Sequence, residues 1–291
     1  MAWRTSEHLL HDPDHTGSLH FVSIDLPLRF EKLDRPPLIV CLDGAWLAGT
    51  VRDATRLMSM SGEAPEAIVV GVWFDEPVLK NYLRDRARWY TPTGWVPPPQ
   101  TGIRDVAAEE LGHAETYRAF IRNRLLPFVA EEAPFGETWL VGHSFSALFG
   151  LHCLLEQPAM FDRYLLASPS IWWDDRAIFD FEERYADMHG DLPAQVFLSA
   201  GEQELGEGDD EFRMRANMVE MGERLRRRGY PNLDLTWTVL AGESHNSTTS
   251  NAINKGIRSL HRRRPEPFDA VDRAPKDQTE HDPEVGGEES W

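Results

Sequence analysis

Ser144 stands in Gly142-His143-Ser144-Phe145-Ser146, directly after an apolar run at residues 138–141 and directly before apolar side chains at helical spacing over residues 145–156. A serine hydroxyl is a poor nucleophile at neutral pH. A sharp turn between a buried strand and a helix exposes it to a substrate and to a proton acceptor. Small residues two before and two after the serine let the backbone turn that tightly. Gly142 fills the first place; Ser146 fills the second, where glycine is usual, and adds a Cβ while staying small. A serine that merely caps the following helix needs no strand before it, so the strand favours the nucleophile.

Such a serine needs an imidazole to take its proton and a carboxylate to orient that imidazole. In the α/β-hydrolase scheme the acid and then the histidine follow the serine, each in the loop after a later strand. Residues 235–240 read as a strand and run into Ala241-Gly242-Glu243-Ser244-His245-Asn246, which makes His245 the candidate base. His143 neighbours the serine but points elsewhere on the turn, and His113, His152 and His261 fall in expected helices. Residues 195–200 run into Gly201-Glu202-Gln203-Glu204, so Glu204 is the candidate acid, with Glu202, Asp209 and Asp210 as alternatives in the same acidic loop. Acyl transfer also needs donors for a developing oxyanion. The backbone N–H of Phe145 is one candidate, and that of Ala45, after the strand at 38–42, is the other.

The elements that would carry these residues alternate regularly. Strands are expected at 19–26, 38–42, 67–73, 138–141, 164–167, 195–200 and 235–240, and helices at 51–60, 113–131, 145–156, 174–186, 209–228 and 249–261. Short apolar strands alternating with helices imply a mostly parallel sheet covered on both faces, with the ligand site at the strands' carboxyl ends. The stretch 75–112, rich in proline and tryptophan, reads as an ordered functional loop that overhangs the site.

Residues 1–17 are polar. Their His8, His11 and His15 are loosely spaced like metal ligands, but no thiol or carboxylate cluster completes a site, so a frayed terminus and no metal are expected. The α/β domain is expected over residues 18–264. Residues 265–291 are acidic and poor in apolar side chains, as a disordered tail would be.

A net charge of −18, from 48 acidic against 30 basic residues, argues against nucleic acid or an anionic membrane as partner. Cys41 and Cys153 both fall in apolar surroundings and read as free thiols. No basic segment followed by an apolar run opens the chain, and no stretch of about 18 apolar residues occurs. The expectation is a soluble cytoplasmic protein acting on a small molecule.

Together, LIVCLDGAW, RARWYTP, VGHSFSALFGLHCLLEQPAMFDRYLLASPSIWWDD, LSAGEQE and AGESHN resemble the putative esterase family of α/β-hydrolases. That family includes esterase D, feruloyl esterases, mycolyltransferases and enterobactin-type siderophore esterases, and the chain is most similar to the last. The resemblance covers residues 18–261, and Ser168-Pro169-Ser170-Ile171-Trp172-Trp173-Asp174 is its most distinctive block. It implies nucleophile Ser144, base His245, an acid near Glu204, oxyanion donors at Ala45 and Phe145, and no cofactor. Trp46, Trp89, Trp172 and Trp173 are candidates for an aromatic wall around an acyl or aryl group, and Arg84, Arg86 and Arg88 for local compensation of an anionic substrate. Of these, Trp46, Arg88, Trp89 and Trp173 are taken as the substrate-binding set. The expected function is a serine carboxylic-ester hydrolase working through an acyl-enzyme on siderophore-type trilactone or aryl esters. The same serine, acid and histidine would also suit an acyltransferase or thioesterase, and a silent binding protein is the alternative outside catalysis.

Overall fold

The apolar run at 38–42 forms strand β3 (Leu38–Leu42), buried at every position. Leu38, Val40 and Leu42 join one helical layer's core and Ile39 and Cys41 the other's, as a parallel strand covered on both faces requires. The computed structural model describes residues 4–74, 78–204 and 212–262. Among these, β3 belongs to an eight-stranded sheet with β1 (Arg4–His11), β2 (Leu19–Leu26), β4 (Ile68–Phe74), β5 (Thr138–His143), β6 (Arg163–Ala167), β7 (Ala194–Gly201) and β8 (Leu233–Leu240). Their order is β1-β2-β4-β3-β5-β6-β7-β8. Only β1 with β2 and β2 with β4 pair antiparallel; the remaining pairs are parallel.

Helices α1 (Gly44–Ser59) and α9 (Thr248–His261) cover one face through Leu47, Val51, Met58, Ile253, Ile257 and Leu260. The other face carries α2 (Leu79–Tyr90), α3 (Ala114–Phe120), α4 (Leu126–Glu132), α5 (Phe145–Glu156), the short α6 (Trp173–Arg176), α7 (Ile178–Met188) and α8 (Met214–Arg228). From β3 the chain moves to β4 on one side and later to β5 on the other. The crevice between the carboxyl ends of β3 and β5 is therefore the switch point where open α/β sheets place their ligands.

Three local expectations change. Residues 4–11, expected as a frayed end, pair with β2 from Arg4↔Leu26 to His11↔Leu19. An edge strand holds on by main-chain bonds and carries polar side chains, so hydrophobic patterning does not reveal it. The stretch 75–112, expected as a loop, contains α2, which buries Tyr82, Arg86, Ala87, Trp89 and Tyr90; its arginines masked an amphipathic period. Helix α1 starts at Gly44 instead of residue 51, because the Asp-Gly turn signal is spent on one left-handed residue, Asp43 at φ 53°. Helices α3 and α4 are joined by a π-helical turn at Ile121–Leu125. Pro127, which lacks an N–H, starts the turn after it, and a proline inside a helix disturbs the i−4 ladder in this way. The proposed tail, 265–291, lies outside the described residues.

Candidate active site

Strand β5 ends at His143 and α5 begins at Phe145, leaving Ser144 alone at the turn with φ 62° and ψ −118°. A non-glycine residue at positive φ is strained, and strain of this kind collects at functional turns. Gly142 makes the turn possible, since a Cβ there would lie 2.5 Å from the Ser146 carbonyl oxygen. Ser146, fully buried, does more than stay small. Its hydroxyl accepts the His143 N–H at 2.9 Å and lies 2.7 Å from Asp43 Oδ2, to which it donates.

Asp43, at the end of β3, is gripped from the other side by Arg86 of α2. Nε meets Oδ1 at 2.7 Å and Nη2 meets Oδ2 at 2.8 Å, with both residues buried. Burial alone would lower the Arg86 pKa, but the Asp43 carboxylate outweighs it and raises it. The guanidinium also lies over the Trp46 ring, 5.2 Å from its centroid. This network locks the turn bearing Ala45 to the turn bearing Phe145. Both residues lie in the first turns of helices α1 and α5, where backbone N–H groups have no intrahelical acceptor.

The acid loop after β7 and the histidine loop after β8 are in contact. A Cβ at Gly201 would lie 2.3 Å from the Glu243 carbonyl oxygen, and Gln203 N–H donates to that oxygen at 2.9 Å. This brings Glu204 Oε2 to 3.1 Å from His245 Nδ1. Glu204 Oε1 accepts the Gly201 N–H at 2.6 Å and the Ser168 hydroxyl. Burial pushes the Glu204 pKa up, but the hydrogen bonds from His245, Ser168 and Gly201 prevail and hold it below the usual carboxylate value. Of the alternatives, Glu202 spends its carboxylate on Gly242 N–H at the surface, while Asp209 and Asp210 lie outside the described residues.

His143 is a partner the sequence did not single out. Its Nε2–H donates to the His245 carbonyl at 2.8 Å, with the two rings 4.6 Å apart. Burial, then the proximity of His245, lowers its pKa to about 3, so it remains a neutral donor. The adjacency of a histidine to the nucleophile was visible in the sequence; that it reaches across 102 residues to the base was not. Ser170, just beyond β6, lies with its Oγ 3.2 Å from Ser144 Oγ and donates its N–H to the Ser144 carbonyl at 3.2 Å.

Ser144, His245, Glu204, His143 and Ser170 share one cavity of about 670 Å³. Its apolar wall consists of Trp46, Leu83, Phe145, Trp172, Phe212 and Met214, and Gln100 and Thr101 from the 75–112 stretch also face it. Among the described lining residues the one permanent cation is Arg86, which is paired to Asp43. Of the side chains the sequence offered for substrate contact, Trp46, Trp172 and Arg86 line the cavity; Arg88, Trp89 and Trp173 do not. Arg88 bonds the Glu110 carbonyl, Trp89 packs against His113, and Trp173 is buried with its Nε1–H on the Thr93 carbonyl. Large aromatic side chains are as readily core as wall, and their neighbours Arg86 and Trp172 take the cavity positions. At the amino end, His8 packs on Phe128 and His15 bonds Asp12. Among the described residues no group of three or more His, Cys, Asp or Glu is placed to hold a metal ion, and no helix is long and apolar enough to cross a membrane.

The carboxyl ends of five adjacent strands thus converge on a hydroxyl, a carboxylate-bonded imidazole and two helix amino termini, and known proteins share both the sequence and the scaffold. The family described as "Putative esterase" matches residues 16–205, more than half of the chain. The siderophore enterobactin esterase of Emericella nidulans is 30% identical over 190 residues, which span 56% of this chain and 61% of that relative. The ferri-bacillibactin esterase BesA of Bacillus subtilis is 28% identical over 240 residues, 77% of this chain and 79% of that protein. The structure of the siderophore hydrolase EstA from Aspergillus nidulans superposes with a TM-score of 0.77 at 25% identity, covering 88% of this chain and 94% of that one. With this sheet, this elbow and these relatives, the chain belongs to the putative esterase family and is an ester hydrolase with the α/β-hydrolase fold.

Proposed function

We propose that this esterase hydrolyses siderophore-type trilactone or aryl esters through an acyl-enzyme on Ser144, with His245 as base and Glu204 as acid. The observation that carries the reading is the Glu204 to His245 contact at 3.1 Å, opening on the same cavity as Ser144 at its left-handed turn. Because Nδ1–H donates to Glu204, the His245 tautomer leaves Nε2 free to accept the Ser144 proton. Ser144 Oγ then attacks the ester carbonyl, and the Phe145 and Ala45 N–H groups receive the negative charge that develops on its oxygen. The imidazolium returns its proton to the departing alcohol, and water, activated by the same histidine, releases the acid. The apolar wall of Trp46, Phe145, Trp172 and Phe212 suits an aryl or acyl group. The names of the two esterase relatives support the siderophore class. Free buried thiols at Cys41 and Cys153 suit a cytoplasmic setting.

A fluorophosphonate probe followed by peptide mass analysis, together with a panel of trilactone, aryl, alkyl and thioester substrates, tests this. A phosphonyl adduct on Ser144 and turnover of trilactone or aryl esters are expected. An unlabelled protein inert to every ester would overturn the reading, and turnover confined to thioesters, or appearing only with an added acyl acceptor, would replace it.

A further inference from the structure

Glu204 is almost completely buried, 3% exposed, while the histidine it meets has a side chain 39% exposed. A carboxylate in that position can turn about its last torsion, a soft one, unless its oxygens are held separately. One of them is held twice. Oε1 takes the Gly201 N–H from its own loop at 2.6 Å and the Ser168 hydroxyl from the neighbouring strand end, which leaves Oε2 for His245 at 3.1 Å. Ser168 itself is fully buried and has φ 45°. It lies too deep to meet a substrate, and its N–H is already used on the Ser199 carbonyl at 2.7 Å.

We propose that Ser168 is the positioning residue of the acid: its hydroxyl fixes one oxygen of Glu204 so that the other stays aimed at His245 Nδ1. The proposal rests on the reading of Glu204 as the acid. It also accounts for the Ser-Pro-Ser block after β6, a feature of the sequence that the nucleophile, base and oxyanion donors leave unused. Pro169 holds one short turn between two serines. Ser168 reaches the acid, and Ser170 lies with its Oγ 3.2 Å from the hydroxyl of Ser144. The preceding residue, Ala167, accepts the Ser144 N–H at 3.0 Å. The end of β6, between β5 and β7 in the sheet, is therefore a common reference for nucleophile and acid and sets the distance between them.

The test compares Ser168→Ala, Ser168→Gly, Glu204→Gln and Ser168→Ala/Glu204→Gln with the wild-type chain, using p-nitrophenyl acetate across pH. Glycine suits φ 45° better than alanine, so the pair separates loss of the hydroxyl from backbone strain. Both single variants at 168 should lose roughly ten- to a hundredfold in kcat with KM unchanged, the scale of one hydrogen bond to a charged group. A further loss of rate should appear at the acid end of the pH profile, since Glu204 deprived of this donor takes up its proton more readily and, once protonated, no longer holds His245. The double variant should be no slower than Glu204→Gln alone, because the hydroxyl acts through that carboxylate. The proposal fails if both single variants keep wild-type kcat and pH profile, if Ser168→Gly recovers what Ser168→Ala loses, or if the losses multiply in the double variant. Wild-type turnover by Glu204→Gln would instead remove the acid assignment itself, and this proposal with it.

Discussion

The hydroxyl of Ser146 donates to Asp43 Oδ2 across 2.7 Å and ties the turn after β5 to the turn after β3. Where the elbow usually has glycine, this chain carries a side chain that joins a buried ion pair. Asp43 accepts from Ser146 and from both forks of Arg86, and the same Ser146 oxygen receives the His143 N–H. The two backbone donors proposed for the oxyanion are therefore referenced to one carboxylate.

Arg86→Met should destabilise the protein by about 3–5 kcal/mol, because it leaves the Asp43 carboxylate buried without its counter-charge. Ser146→Ala removes a single donor and should cost only about 1–3 kcal/mol. Urea unfolding of the two variants checks the order. Equal losses would mean that the Asp43 carboxylate is compensated by groups other than Arg86.

Ser144→Ala should abolish ester turnover by several orders of magnitude while leaving the fold and the melting temperature nearly unchanged, since the residual oxyanion donors still bind substrate. Fluorophosphonate labelling should disappear with the activity. A folded Ser144→Ala protein with near wild-type turnover would refute the nucleophile assignment.

Glu204→Gln should lower kcat strongly, by less than Ser144→Ala, because an amide holds His245 in the wrong tautomer and cannot stabilise its charged form. The rise of rate with pH should flatten too, because a base held in the wrong tautomer cannot accept the serine proton. Parallel Glu202→Gln, Asp209→Asn and Asp210→Asn variants make the measurement comparative: a fall in one of these with Glu204→Gln still active would move the acid.

Stability should fall as the solution is made acid through the histidine range, and His143 supplies part of that slope. Its native pKa is lowered from 6.5 to about 3 by burial. Below pH 6.5 the unfolded chain therefore binds a proton that the folded chain refuses, and stability is lost progressively toward about pH 3. His143→Gln removes this titration and keeps a donor for the His245 carbonyl. Denaturant unfolding at pH 5 and pH 7.5 should show a smaller difference for the variant than for the wild type, and an unchanged difference would locate the slope elsewhere, for example at His20 or His152.

A chain ending at Arg264 should fold and melt like the full chain, since residues 265–291 contain few apolar side chains to bury. The core domain is proposed to be complete without them. A melting temperature lower by more than about 5 °C, on the order of 2–3 kcal/mol for a domain of this size, would show that the acidic segment packs.

The sequence by itself determined the layered architecture and the order of its parts. Stretches such as 38–42 and 139–141 are apolar at every position because both faces of a parallel strand are buried, and that property is local. Ser144 and Glu204 could be picked out because each stands just past the end of a buried strand, and His245 because it follows the half-buried strand β8. Tertiary structure alone decided which long side chains reach the cavity. On α2 the buried Arg86 faces Asp43 while Arg88, two residues on, bonds the Glu110 carbonyl, a difference set by how the helix is rotated against α3 and α5 and invisible in a row of alternating arginines. Trp172 lines the cavity and Trp173 is buried beneath it for a similar reason. Edge strand β1, the reach of His143 to His245 and the hold of Ser168 on Glu204 depend on hydrogen bonds between residues far apart in the chain. Such bonds leave no periodic trace in the sequence, because their geometry exists only once the sheet has brought its strand ends side by side.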